Sequence, residues 1–220
     1  MTATRYGQAI FLIASGGCGK SYLAKQFGLK INQVKGEKVT VFVPGFADST
    51  WYEFPKYDLT DPNQQKAYLE DKGISVIDLT DGAEEAFFFF YQNMEKGILK
   101  NTTIILDDAQ NYMEDKNEIP PALYDIFSRL RNSSIDIIGT VHGLSEINSW
   151  FFKKITGYGF FISSGTDIYK ISLPRKATIL NIKDQIDTYV SQGGKDETGK
   201  WKKRQFVRFI DSFGQPLKIQ

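Results

Sequence analysis

One stretch constrains this chain more than any other: Gln8 to Phe27, QAIFLIASGGCGKSYLAKQF. It reads as a buried strand (Ala9 to Ala14), a glycine-rich turn (Ser15 to Gly19) and then Lys20-Ser21 opening an amphipathic helix. Gly16, Gly17 and Gly19 let the backbone curl tightly, so that successive N–H groups point inward at an anion. The helix that follows adds its unpaired N-terminal donors and the positive end of its dipole. A sequence of this order reads as a strand–turn–helix unit suited to cradling phosphate.

The order of parts is that of a Walker A motif. Lys20 is expected to reach the β- and γ-phosphates of ATP, and the Ser21 hydroxyl to ligate Mg²⁺. The expected nucleotide contacts are Ser15, Gly16, Gly17, Cys18, Gly19, Lys20, Ser21 and Tyr22. The strict pattern has glycine where this chain has Ala14, a small residue that still fits the strand-to-turn corner. The competing reading is a glycine-rich turn that binds nothing, and Gly-Lys-Ser at a strand–helix junction argues against it.

Composition narrows the rest. A chain of 220 residues can bury a full core, and 41% hydrophobic with 24% charged residues is ordinary globular usage. A formal net charge of +1 announces no nucleic-acid partner through a global field, so any basic surface must be local. The one cysteine, Cys18, excludes an internal disulfide and fits a reducing compartment. Two readings of its thiol stand, an oxidation-sensitive group in the turn or simply a small loop residue. No apolar run reaches membrane-spanning length and no secretory leader pattern opens the chain, so a cytoplasmic protein is expected.

Down the chain, a helix is expected to Val34, a strand over Lys38 to Pro44, and then an aromatic-rich insertion, Gly45 to Gly73, with a helix from Pro62 to Lys72. The insertion's Trp51, Tyr52, Phe54 and Tyr57 suit packing under a long loop, with base stacking as the alternative. Ile74 to Leu79 reads as a strand, and Ala83 to Lys96 as a helix with Ala83, Ala86, Phe87, Phe90, Tyr91 and Met94 on one stripe. Thr102 to Asp108, TTIILDD, reads as a central parallel strand whose acidic end falls at the carboxyl edge, where open α/β sheets bind ligands. Asp107 would hold Mg²⁺ and Asp108 would orient or activate the attacking water. A helix cap or turn after a core strand is the alternative for the acidic pair.

Beyond it, a helix is expected from Ala122 to Arg131, a strand from Ile135 to Val141, a helix from Leu144 to Ile155 and a strand from Tyr158 to Ser163. A further ribbon (Asp167 to Leu173), a helix (Lys176 to Val190) and a last strand (Gln205 to Ile210) complete the reading. The division is a core over residues 1–173 and a C-terminal extension over 174–220 within the same domain. The whole implies a doubly wound α/β P-loop fold, with an additional strand between the Walker A and Walker B strands. Aspartate at 108 is one methylene shorter than the usual glutamate, so the water must come closer or the strand end must bend inward.

LDDAQNY, followed by a helix ending SRLRNSSIDIIGTVHGLSEIN, resembles the FtsK–HerA superfamily. Within it the chain is similar to viral genome-packaging ATPases and to the ATPase domain of zonula occludens toxin-like proteins of filamentous phages. The resemblance spans roughly Gln8 to Ser163. It implies an ATP-hydrolysing ring, usually a hexamer, that pulls double-stranded DNA, with the site shared between protomers. It also implies an arginine finger, for which Arg129 and Arg131 are the candidates, and a polar sensor that here falls on His142. A histidine hydrogen-bonded to a loop is the other reading of that position. The cluster Lys200, Lys202, Lys203 and Arg204 around Trp201 could track DNA phosphates, or could be a solvated hairpin tip. A capsid or membrane-vertex protein is the implied docking partner, in the host cytoplasm or on the virion. A nucleotide-gated assembly ATPase and a small-molecule kinase are the rival functions; the insertion lacks the arginines that a kinase lid needs.

Overall fold

The computed structural model describes residues 7–14, 17, 19–45, 49–80, 82–113, 119–143 and 146–160, a strand at 208–211 and single positions at 180, 181, 184, 188 and 197. Among these, eight strands form one sheet: β1 (Ala9–Ile13), β2 (Lys38–Val43), β3 (Lys56–Tyr57), β4 (Ile74–Asp78), β5 (Thr102–Leu106), β6 (Asp136–Val141), β7 (Gly157–Phe160) and β8 (Arg208–Asp211). Their spatial order is β3-β4-β2-β5-β6-β1-β7-β8. Every neighbouring pair is parallel except β7 and β8, which run antiparallel. The expected additional strand is β6, which lies between β1 and β5.

The helices are α1 (Lys20–Lys35), α2 (Pro62–Glu70), α3 (Ala83–Glu95), the short α4 (Gln110–Met113) and α5 (Pro121–Ser133). Their boundaries follow local chemistry. Gly36 closes α1 at φ 65°, donating its N–H to Asn32 O. Asp61 caps α2 by accepting from Asn63 N, with Pro62 at the first helical position. Glu84 and Glu85 stand in the first turn of α3, where the dipole favours them.

Alternation along the strands sends side chains to two cores. Leu12, Ala14, Val39, Val41 and Ile105 pack with Ala24 of α1 on one face. Phe11, Ile13, Phe42, Ile104 and Leu106 face α3 and α5 on the other, with Phe87, Phe90, Leu123 and Phe127. Six phenylalanines, Phe11, Phe42, Phe87, Phe90, Phe127 and Phe151, are fully buried. Each contributes about 2–3 kcal/mol on burial, so these rings anchor the α3–α5 side. Phe42 meets Phe87 at 4.6 Å and Phe90 edge-on at 5.8 Å. Gly139 on β6 sits opposite Phe11 in register, and a Cβ there would lie 2.3 Å from the ring. The glycine in IDIIGTV is therefore the space the Phe11 ring occupies.

One expectation changes. Leu144 to Ile155 is not a helix: within 146–155 the described chain makes turns and one 3-10 turn, Phe151–Lys153. Asn148 explains this, because its N–H goes to Met113 O and its side chain accepts from Trp150 N, local bonds that compete with a helical ladder. Tyr124 then stacks on Phe151 at 5.1 Å and holds the turn against α5. The insertion also supplies the edge strand β3 beside β4. Phe88 lies 52% exposed off the α3 stripe, whereas Phe89 meets Tyr68 at 6.2 Å. The ribbon at 167–173, the basic cluster at 200–204 and most of the helix expected over 176–190 lie outside the described residues.

Candidate active site

β1 runs straight into the glycine turn and out into α1. Gly17 has φ 74° and Gly19, the residue before the helix, φ 88° with ψ 22°. A Cβ at either would meet no atom within 4 Å, so glycine is required there by the left-handed backbone and not by crowding. No side chain among the described residues caps α1 and no acidic residue stands in its own first turn. Lys20 is only 4% exposed, while Tyr22 on the same turn is 56% exposed. Ser15, Gly16 and Cys18 lie outside the described residues.

The end of β5 comes to this turn across β6. Asp107 is 2% exposed, and its carboxylate collects three donors. Ser21 Oγ donates to Oδ1 at 2.9 Å, Thr140 Oγ1 to the same oxygen at 2.7 Å, and Trp51 Nε1 to Oδ2 at 2.6 Å. Burial pushes the Asp107 carboxyl above its usual range, the three donors oppose that, and the neighbouring Asp108 charge adds to it. Beneath it, Tyr112 donates its hydroxyl to Asp107 O at 3.2 Å. Burial drives that phenol well above its ordinary value, with the two aspartate charges adding to the effect.

Asp108 is the same residue type put to a different use by one dihedral. Its φ is +44°, in the left-handed region that aspartate tolerates better than most residues. Its N–H donates to Thr140 Oγ1 at 2.9 Å, so one threonine hydroxyl serves both acids. The side chain is 35% exposed, and its Oδ1 lies 3.5 Å from His142 Nε2, itself 42% exposed. Asp107 therefore points into the protein and Asp108 toward solvent, with His142 beside it at the end of β6.

Ser21, Asp107, Asp108 and His142 converge at the carboxyl edge of the sheet, on the turn that Lys20 follows. Arg129 does not join them. Its neighbour Leu130 accepts from the N–H of Gly7, which precedes β1, whereas the glycine turn follows β1. Arg129 thus belongs to the opposite, amino edge, where it pairs with Glu95 at 2.9 Å and lies 5.9 Å over Tyr91. Arg131 is on the same helix, and its side chain lies outside the described residues. Two residues of the site, Trp51 and Thr140, carry no motif. The available signals were a tryptophan whose N–H must find a partner once buried, and a hydroxyl at the end of a core strand.

The oxygen donors suit a hard cation. No group of three or more His, Cys, Asp and Glu among the described residues could hold a metal unaided. A serine hydroxyl that gives its proton to a carboxylate turns its lone pairs outward, and hard oxygen donors of this kind suit Mg²⁺ when phosphate oxygens complete the shell.

The glycine turn after β1, the acidic pair after β5 and the strand between them define a P-loop NTPase fold of the additional-strand type. Among solved structures, the chain is similar to the genome packaging NTPase B204 from Sulfolobus turreted icosahedral virus 2 in complex with ATP-gammaS. The identity is 16%, with 96% of this chain and 95% of that chain covered at a TM-score of 0.63. It is likewise similar to B204, the DNA-packaging ATPase from Sulfolobus turreted icosahedral virus, at 16% identity over 96% and 95% of the chains and a TM-score of 0.62. The N-terminal domain of zonular occludens toxin from Neisseria meningitidis matches at 16% identity over 73% and 80%, with a TM-score of 0.45, too loose a likeness to argue from. Viral genome-packaging proteins, named from the sequence, are thus among the structural matches, and at identities this low the likeness shows the fold alone. No protein-family model and no curated protein sequence matches the chain. No described helix is long and apolar enough to cross a membrane.

Proposed function

We propose that this chain is an ATPase that hydrolyses ATP to move double-stranded DNA in viral genome packaging, working as a homo-oligomeric ring. The observation that carries the reading is the division of labour between the two acids: Asp107 buried under three donors beside Ser21, and Asp108 turned toward solvent against His142. The likeness of fold to the B204 packaging NTPases supports it.

In this mechanism the glycine turn, the first N–H groups of α1 and Lys20 hold the β- and γ-phosphates. Ser21 and Asp107 would hold Mg²⁺, which when bound neutralises charge on the phosphate oxygens. Asp108 orients the attacking water and draws on its proton, and His142 keeps the Asp108 carboxylate aimed. Arg129 or Arg131 of a neighbouring protomer stabilises the transferring phosphoryl group from outside. Releasing Arg129 from Glu95 costs little, since both side chains are more than a third exposed and such pairs contribute up to about 1 kcal/mol. The basic segment Lys200 to Arg204 contacts DNA phosphates, and a capsid or membrane-vertex protein receives the ring, in the host cytoplasm or on the virion.

The test is ATP turnover by the purified chain with and without long duplex DNA, together with its mass in solution. DNA-stimulated turnover by a ring is expected. A monomer whose turnover requires a small phosphate acceptor would overturn the reading in favour of a kinase.

A further inference from the structure

Trp51 belongs to neither phosphate-binding motif, yet it reaches the centre of the site. Its ring is 2% exposed and its indole N–H takes Asp107 Oδ2 at 2.6 Å, leaving Oδ1 to Ser21 and Thr140. Donors on both oxygens set the plane of the carboxylate. The turn that delivers Trp51, Ser49–Trp51, is itself fastened to α1. Lys25 Nζ donates to Thr50 O at 3.0 Å, pairs with Glu53 at 3.1 Å and lies 5.5 Å over the Phe54 ring. Phe54 in turn sits 6.2 Å from the Trp51 ring. One short segment therefore ties the helix that carries Lys20 and Ser21 to the strand end that carries Asp107. Packing accounts for a large ring at this place but not for an N–H aimed at a carboxylate, since phenylalanine would also fill an apolar slot.

We propose that Trp51 is a positioning residue: its indole N–H holds the Asp107 carboxylate in the orientation that binds the cation, and its ring registers when that cation arrives. The inference rests on the nucleotide-site reading above. Losing the N–H frees the carboxylate to rotate, which weakens the cation arm of binding and leaves the phosphate cradle alone.

The experiment is equilibrium binding of a fluorescent, non-hydrolysable ATP analogue to the full chain, first in EDTA and then across a Mg²⁺ titration. Trp51→Phe is expected to match the wild type in EDTA and to need about tenfold or more Mg²⁺ for half-maximal effect, the scale of one hydrogen bond to a charged group. A second readout uses Trp51 as the sole tryptophan, with Trp150→Phe and Trp201→Phe. Its emission is expected to change when Mg²⁺ is added to nucleotide-saturated protein. Trp51→Phe with the wild-type Mg²⁺ dependence overturns the inference. If that variant does not fold, an indole emission unmoved by Mg²⁺ overturns it instead. A wild-type chain that binds no nucleotide overturns the site reading and this inference together, whereas a wild type that binds while Trp51→Phe matches it overturns this inference alone.

Discussion

Replacing Thr140 by valine removes one oxygen and keeps the shape, and that oxygen has two partners. The hydroxyl gives its proton to Asp107 Oδ1 at 2.7 Å and accepts the Asp108 N–H at 2.9 Å, on a residue with no exposed surface. A hydrogen bond to a charged group contributes about 1.5–3 kcal/mol, and a backbone N–H left without an acceptor costs about 1–3 kcal/mol. Asp108 is partly open, so water recovers some of the second term, and the net loss should be about 2–4 kcal/mol. For a domain of this size each kcal/mol moves the melting temperature by about 2–4 °C, which places Thr140→Val roughly 5–15 °C below the wild type. Thermal and urea unfolding followed by circular dichroism would measure it, with Thr140→Ser as the control that keeps the hydroxyl. The reasoning fails if Thr140→Val unfolds within about 1 kcal/mol of the wild type, or if Thr140→Ser is destabilised as much as valine.

Other perturbations separate the remaining parts of the argument. Lys20→Ala should abolish nucleotide binding, while Asp108→Asn should bind nucleotide normally and lose turnover; near-wild-type turnover in Asp108→Asn would reassign the water-orienting residue. Gly139→Ala should cost about 1–3 kcal/mol or more in urea unfolding, because its Cβ would stand 2.3 Å from Phe11 Cε1. Adding Phe11→Leu should recover part of that loss, and strict additivity of the two changes would mean that they do not meet. Lys38, buried and donating to Tyr68 O, Asp71 O and Ser75 Oγ, has its ammonium lowered by burial to about 8, with Asp71 opposing the shift. Since the folded value lies below the unfolded 10.5, the unfolded chain binds more protons across that window. Stability should therefore rise as pH climbs from 8 toward 10. Above that, Tyr68, whose phenol burial pushes up, reverses the trend. Urea midpoints at about pH 7.5, just below that window, and at about pH 8.5 and 9.5, inside it, test this. The rise should be absent in Lys38→Met, and an equal rise in that variant would refute the assignment.

How much of this was legible beforehand depends on how far apart the interacting residues lie in sequence. The glycine turn could be read because its parts are contiguous and backbone geometry alone makes it work: Gly19 must adopt φ 88°, and few other residues can. The apolar run TTIIL announced a central strand for a similar reason, as did the helical stripe of α3. The helix expected over 144–155 failed because periodicity was counted without the competing bonds of Asn148, whose N–H partner Met113 lies on another element. The bracket around Asp107 was illegible on larger grounds. Trp51 stands 56 positions from it and Thr140 stands 33 away, and only the finished sheet brings either within reach.

The acidic pair shows where the limit falls most sharply. Two consecutive aspartates look interchangeable in sequence, and the shorter second acid promised either a closer water or a bent strand end. At Asp108 the backbone turns left-handed, with φ +44°. In an extended strand, consecutive side chains merely alternate between faces, and both acids would have kept to the ladder. The left-handed residue ends the ladder after Asp107, whose N–H still reaches Phe42 O at 2.9 Å, and hands the next N–H to Thr140 instead. A conformation of this kind costs about 1–2 kcal/mol in a non-glycine residue and persists only where its surroundings hold it. Here the holding group is the same hydroxyl that serves the buried carboxylate. Orientation of the buried Asp107 carboxylate and exposure of Asp108 are therefore one structural decision. A change at Thr140 should disturb both at once, whereas a change at Trp51 should reach only the first.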